Sequence, residues 1–432
     1  MWEIKMNILI LLVGSNPLPS YIVGDYLMKK GRAEAKKALP EPGKIILVHS
    51  KDTEKFAKRV SNKLNIQPEP EYVDLNTDER NPCVIVKGIQ GKLDELAKAD
   101  VINTIHLNYT GGTKPMSLYG SIAVNEWIEK EKKKDKIKVI LSDIDPNNHK
   151  IVLREKPDYP LDGDMLDVVK VKTDTVLDLH DMKTVHAGVQ HLTIPIPEDR
   201  LMEFAYQAII KYRNNQKQIF QIFSKIKIRG RSSQEKERSI NRQIPQTDFQ
   251  ANFNQISTEF PSLGNFDFNQ GKLPFIEFFT GKWLEDLVLN TLTKLKAATP
   301  IDEIAKGVEA SYGNRKTEID VIAIRGYKLF LFSCTTSQEI KWVKQKAFEA
   351  LHRAEQLGGE HAKLIVVSLM HNRRVQGNSF TEDNNLDELK KDLAQFDAAR
   401  NCRLTGIDDL QGECEGRGTF TQRLKSIIMG VE

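Results

Sequence analysis

The chain has 432 residues, with 63 lysines and arginines against 59 aspartates and glutamates, for a formal net charge of +4. That length accommodates two or three domains with substantial cores, and so even a charge balance neither requires nor rules out a nucleic-acid partner. Cys83, Cys334, Cys402 and Cys414 are scattered without CxxC pairs, which speaks against a zinc site or a secreted disulfide scaffold and points to a reducing cytoplasm.

Residues 6–13 form an apolar run too short to span a membrane and without a cleavage-site pattern, so no membrane segment is expected and the run reads as a buried first strand. It ends in Gly14-Ser15-Asn16-Pro17-Leu18-Pro19-Ser20, a turn-forming loop that leads into a helix over 21–30. A second strand over 44–49 runs into His49-Ser50-Lys51-Asp52-Thr53, and a helix over 54–64 follows. A short strand at 84–86, a helix at 93–98, a strand at 101–107, a helix at 117–128 and a strand at 137–142 continue the alternation. This pattern predicts a doubly wound, mostly parallel, Rossmann-like sheet over residues 1–150, with ligands collecting outside the carboxyl ends of its strands.

The stretch Asn108-Tyr109-Thr110-Gly111-Gly112-Thr113-Lys114-Pro115-Met116-Ser117 is a strand-to-helix turn. It gathers backbone N–H groups at a helix N-terminus, with two glycines that admit a ligand to the main chain and a lysine to balance negative charge. Its spacing is neither that of a Walker loop nor that of a dinucleotide fingerprint, so it reads as an anion site outside those classes. With the loops at 14–20 and 49–53 it makes a pocket of hydroxyls, main-chain donors and lysines, without a carboxylate pair or a nucleophile-base pair. Such a set suits binding more than turnover.

The Gly-Ser-Asn-Pro loop, together with Thr-Gly-Gly-Thr-Lys after a later strand, resembles the CRISPR-associated Rossmann fold (CARF) domain over about the first third of the chain. The resemblance implies a homodimer whose paired pockets hold a cyclic oligoadenylate, most often the tetra-adenylate. It places Asn16, Pro17, Leu18 and Ser20 on one wall and Thr110, Gly111, Gly112, Thr113 and Lys114 on the other, with His49 and Lys51 as further candidates. A two-fold ring of phosphodiesters matches an isologous dimer rich in N–H donors and cations.

Residues 151–265 read as a connector: short alternating segments at 151–153 and 165–171, an Asp162-Gly163-Asp164 turn, a helix over 201–223, and a basic linker over 225–259. Arg229, Arg231, Lys236, Arg238 and Arg242 in that linker are either a solvated surface or contacts to a nucleic-acid backbone.

A second α/β pattern fills residues 266–432. The helix opening at Gly281-Lys282-Trp283-Leu284-Glu285-Asp286 buries a stripe of Leu284, Leu287, Val288, Leu292 and Leu295, with Glu285 beside it. Strands follow at 304–310, 317–324 and 328–336, then a helix over 339–357, a strand at 362–369, a helix at 386–396, a strand at 403–407 and a helix at 420–428.

The order and residues resemble the PD-(D/E)xK nuclease core of restriction-endonuclease-like folds. On that resemblance Glu285 and Asp320 are the catalytic and metal-holding carboxylates, for Mg or Mn, with Glu318 as a second ligand or support. The acid-x-lysine pair falls at Ser333 and Thr335, so the lysine is sought on the following helix, at Lys346 ahead of Lys344. Hard oxygen donors, an activated water and a nearby ammonium are what phosphodiester hydrolysis needs.

The two halves together resemble the CARF and PD-(D/E)xK fusions of type III CRISPR systems. They imply a cyclic oligoadenylate-activated, metal-dependent nuclease that cleaves DNA, RNA or both in antiviral defence. Two other readings stay open on the same residues: a sensor whose nuclease core has lost activity, and a pocket that slowly cleaves its own ligand.

Overall fold

The computed structural model describes residues 5–30, 39–130, 137–154, 165–230, 232–264, 271–373, 385–395 and 400–431. The expected turn at Asp162-Gly163-Asp164, Arg231, and the Phe396 end of the helix expected at 386–396 lie outside the described residues. Among those described, the strands make two six-stranded sheets.

The first half runs β1 (Lys5–Leu12), α1 (Leu18–Asp25), β2 (Lys44–His49), α2 (Glu54–Leu64), β3 (Glu71–Asp74), α3 (Pro82–Ala99), β4 (Val101–Asn108), α4 (Lys114–Lys130), β5 (Lys138–Asp145) and β6 (Lys150–Leu153). The strands order as β3-β2-β1-β4-β5-β6, all parallel except β6, which lies antiparallel to β5. Central β1 is buried on both faces, as a strand covered by helices on both sides must be. The order reverses between β1 and β4, which opens a crevice at their carboxyl ends.

One reading of this half is corrected, and one strand is added. The apolar run at 84–86 is not a strand but part of α3, which begins at a cap legible in Asn81-Pro82: the Asn81 side chain accepts from the Cys83 N–H at 3.0 Å, and proline opens the helix. The strand at that place in the sheet is β3, four residues long with only Val73 buried.

The second half runs α5 (Met165–Val168), α6 (Thr173–Leu179), β7 (Lys183–Val189), α7 (Glu198–Arg213), α8 (Ser233–Gln243), α9 (Gln246–Glu259), α10 (Lys272–Glu277), α11 (Trp283–Lys296), β8 (Glu303–Tyr312), β9 (Arg315–Arg325), β10 (Lys328–Thr335), α12 (Ile340–Gly358), β11 (Lys363–Ser368), α13 (Leu386–Ala394), β12 (Cys402–Thr405), α14 (Ile407–Cys414) and α15 (Thr419–Met429). Its sheet orders as β12-β11-β10-β9-β8-β7, antiparallel from β7 to β10 and parallel from β10 to β12. The chain is thus α/β throughout, a Rossmann-like sheet followed by a mixed α/β sheet.

The segment at 165–171 opens with helix α5 rather than an alternating strand, and Ile407 starts α14 instead of closing a strand. Residues 225–259 are largely helical. They include α8 and α9, whose Ile240, Phe249, Phe253 and Ile256 are buried at helical spacing beneath a charged exterior.

One apolar core joins the two sheets. Leu9, Leu11 and Leu47 of the first belong to the same buried cluster as Ile322, Leu329 and Leu331 of the second and Val343 and Ala347 of α12. Ion pairs clasp α2 to the α6 region: Arg59 with Asp178 and Asp181, Lys63 with Asp178 at 3.1 Å, and Lys55 with Asp181 at 3.2 Å. Among the described residues no helix is long and apolar enough to cross a membrane.

Candidate functional site

Where β1 and β4 end, the two loops press on one another. A Cβ at Gly111 would lie 2.1 Å from the Leu12 carbonyl oxygen, and one at Gly14 would lie 3.2 Å from Gly112 Cα. Gly112 also has a φ of +76°, which L side chains rarely adopt. The glycine pair is therefore demanded first by packing of the turn on the end of β1.

The hydroxyls hold the turn in shape. Thr110 Oγ1 accepts from the Ile144 N–H at 2.9 Å, and Ser117 Oγ donates to the Tyr109 carbonyl at 3.1 Å. Thr113 Oγ1 accepts from the Met116 N–H at 3.3 Å, capping α4. Lys114 is exposed in the first turn of α4, where its charge adds to the positive end of the helix dipole, an unfavourable placement that an anion would relieve.

The opposite wall is more buried than expected. Pro17, Leu18 and Ser20 are buried, and Ser20 Oγ donates to the Leu12 carbonyl at 2.8 Å, so they shape the wall from behind. Asn16 turns toward the second half: its Oδ1 accepts from the Leu18 N–H at 3.1 Å and meets His180 Nε2 at 3.2 Å. A Cβ at Gly359, just past α12, would lie 2.6 Å from Asn16 Nδ2. His49 is buried, with Nδ1 3.0 Å from the Ser50 carbonyl and its ring edge-on to Tyr72, while Lys51 is exposed.

Sequence reasoning missed a polar layer below the turn. His106 Nε2 is 2.6 Å from Ser142 Oγ, which also accepts from Asn108 Nδ2 at 2.9 Å. Burial, and after it the charge of Lys138, pushes the His106 pKa down to about 3, so the ring is neutral.

The second constellation forms where α11 meets β9 and β10. Burial, and then the Asp320 carboxylate, pushes the Glu285 pKa up to about 8. Burial also raises Asp320, against the opposing pull of the Cys334 N–H, which donates to Asp320 Oδ2 at 2.7 Å, and of Lys346. Lys346 Nζ donates to the Cys334 carbonyl at 3.3 Å. Lys344, two residues earlier, points elsewhere and pairs with Asp392 at 2.9 Å. Glu285, Asp320 and Lys346 are thus brought together, and Lys344 is left out.

Ser333 is buried, and Thr335 Oγ1 accepts from the Ser337 N–H at 3.2 Å. Glu318 is exposed and adds a weaker upward push on Glu285. A cavity of about 220 Å³ opens over the site, lined by Glu285, Glu318, Glu309, Lys282 and Lys306, with Ser233 and Lys236 of α8 at its side.

Lys282, Lys306 and Asp286 were not expected here. Burial works against the Lys282 charge, but Glu277, 3.2 Å away, and Glu285 outweigh it and raise its pKa. Lys306 and Asp286 form a buried ion pair, closed by Thr193: its N–H donates to both Asp286 oxygens at 3.0 Å, and its Oγ1 accepts from Lys306 Nζ at 2.7 Å. A lysine inside the apolar run 304–310 was the one available signal.

Among the described residues no group of three or more His, Cys, Asp or Glu could hold a metal ion. The two carboxylates, Glu285 and Asp320, are hard oxygen donors that suit Mg or Mn with much of its water shell kept and do not suit zinc.

No family model matches the chain, and no curated protein matches it in sequence. In fold it is similar to protein VC1899 from Vibrio cholerae, with a TM-score of 0.60 at 16% identity, over 98% of this chain and 98% of that one. It is similar also to Can2 from Sulfobacillus thermosulfidooxidans, solved in complex with cyclic tetra-adenylate, with a TM-score of 0.57 at 14% identity, over 96% of this chain and 99% of that one.

Proposed function

We propose that the protein is a metal-dependent nuclease switched on by a cyclic oligoadenylate, the tetra-adenylate being the first choice, and that it acts on DNA, RNA or both in type III CRISPR defence. In this reading 1–150 is the CARF sensing unit, 151–265 connects, and 266–432 cuts. The observation that carries it is the meeting of the half-buried Glu285 and Asp320, where desolvation first and the Asp320 charge second push the Glu285 pKa up to about 8, with Lys346 on the Cys334 carbonyl beside them. A whole-length likeness in fold to a protein solved with cyclic tetra-adenylate supports the choice of activator.

Glu285 and Asp320 would hold a divalent cation, which supplies charge neutralisation at the scissile phosphate and a more acidic water. Lys346 stands where its ammonium balances negative charge growing on the phosphate oxygens. Lys282, paired with Glu277 on the cavity wall, offsets part of the negative charge of Glu285. In the first half, Lys114 and the N-terminal N–H groups of α4 hold a phosphate of the activator, and a second copy of the chain completes a two-fold ring site. Activation requires that the ligand bind the cutting arrangement more tightly than the resting one.

The test is cleavage of plasmid DNA and of labelled RNA by full-length protein with each cyclic oligoadenylate, with Mg or Mn. Cleavage dependent on both ligand and metal, and abolished by Asp320→Ala, is expected. A second reading is favoured by Ser333 and Thr335 at the acid-x-lysine positions: a sensor without nuclease activity. Tight ligand binding with no cleavage under any metal would establish that reading instead.

A further inference from the structure

The structure gives 225–259 an architecture that charge composition alone does not explain. Residues 227–230 lie along α8 and are tied to it. The Lys227 N–H donates to Gln243 Oε1 at 2.9 Å, Gln243 Nε2 donates back to the Lys227 carbonyl at 2.7 Å, and the Arg229 N–H donates to Ser239 Oγ at 3.2 Å. Gly230, at φ +134°, crosses the start of the helix where a Cβ would lie 2.6 Å from Glu235 Cβ and 2.8 Å from the Lys236 nitrogen. The segment and the helix are one built unit.

Between them lies a groove of about 580 Å³ lined by Lys227, Arg229, Arg238 and Arg242 against a single acid, Glu235. All four cations are exposed, and among the described residues none of them is in an ion pair. Arg238 and Arg242 stand one helical turn apart, about 6 Å, on the same face. Among the described residues no aromatic side chain lines the groove. The neighbouring face of α8 carries Ser233 and Lys236 to the cavity that holds Glu285. On its third side Glu237 accepts from the Lys272 and Leu273 N–H groups at 2.8 Å, which fixes α8 to α10.

We propose that this groove is a track for the sugar-phosphate backbone of a nucleic acid, held through its charge and not its bases, and that α8 delivers the strand to the Glu285 cavity. The delivery rests on the nuclease reading; the binding does not. Four exposed cations, with no ion-pair partner and no stacking group among the described residues, recognise phosphates in any sequence and bind with strong salt dependence.

The experiment is fluorescence anisotropy of labelled DNA and RNA oligonucleotides with full-length protein in EDTA, with and without cyclic tetra-adenylate, over a range of salt. Arg238→Ala/Arg242→Ala should weaken binding at least about tenfold and flatten the slope of log affinity against log salt by more than about one unit. Two oligonucleotides of equal length and different sequence should respond alike. A thermal melt confirms that the double variant is folded.

Unchanged affinity and slope in the double variant would overturn the track even if the parent cleaves. Failure of the parent protein to bind any oligonucleotide would overturn it as well. Groove-dependent binding without cleavage by the parent would leave the track standing and end the nuclease reading.

Discussion

Asn16 Oδ1 and His180 Nε2 meet at 3.2 Å, and through that contact the loop after β1 touches the second half of the chain. His180 is buried, with Nδ1 2.8 Å from the Val176 carbonyl and a further backbone hydrogen bond at Gln356, near the end of α12. The same helix carries Lys346 near its start. A rigid element therefore runs from the proposed activator pocket to the proposed cutting site.

His180→Ala should cost about 2–4 kcal/mol of stability, through a lost buried side chain and orphaned polar partners. It should also reduce ligand-stimulated cleavage more than ligand affinity, and His180→Gln, which keeps a polar side chain facing Asn16, should recover part of the coupling. Denaturant melts alongside activator dose-response curves measure both.

Glu285 sets an expected pH dependence. Its folded pKa, about 8, is above the ordinary 4.5, so without a cation its contribution to stability is complete below 4.5 and is lost as pH rises through about 8. A cation must displace that proton. Calorimetric Mn affinity should rise with pH, up to about tenfold per unit, and level off above about 8. In metal-free protein, Asp320→Asn, which removes the second-largest cause of the shift, should lower the Glu285 pKa, read by NMR titration of its carboxyl.

His106 has the opposite sign. Its folded pKa of about 3 lies below 6.5, so the stability held in its neutral form is present above 6.5 and is lost as pH falls from there toward 3. Acid titration of the melting temperature should show that decline, and His106→Gln should make it shallower.

The two lysines of α12 separate cleanly. Lys346→Ala should lower the cleavage rate by about 100-fold or more, in the range of a lost transition-state charge partner. Lys344→Ala breaks the partly exposed pair with Asp392 and should change stability by less than about 1 kcal/mol, with cleavage kept. Single-turnover rates on one substrate decide this.

At the first-half crevice, Gly111→Ala and Lys114→Ala should fail in different ways. The added Cβ would stand 2.1 Å from the Leu12 carbonyl, so Gly111→Ala should unfold or strongly destabilise the domain. Lys114 is exposed and its removal should leave the melt unchanged while weakening cyclic tetra-adenylate binding about tenfold or more. Melts and ligand titrations on both variants are the check.

What could be read in advance follows from how local each signal is. The β4 run and its Thr-Gly-Gly-Thr-Lys turn are contiguous and stood out, as did the order of α11, β9, β10 and α12 that brings Glu285 to Asp320. β3 was illegible because a four-residue strand with one buried side chain has no pattern to detect. The run at 84–86 misled because Val, Ile and Val favour strands in isolation, whereas the helix is decided by Asn81, Pro82 and tertiary packing. In 225–259, dense charge hid Ile240, Phe249, Phe253 and Ile256 at helical spacing. Lys306 could not be assigned from sequence, since its meaning comes from Asp286 and Thr193, brought to it by the fold.

The sealed pair of Asp286 and Lys306 has a mechanical consequence for the residue next to it. Removing one partner of such a pair costs about 3–5 kcal/mol, and while it is intact it resists rotation of α11 about its own axis. Glu285 is one peptide away on that keyed cylinder, and its aim is inherited from a lock that takes no part in chemistry.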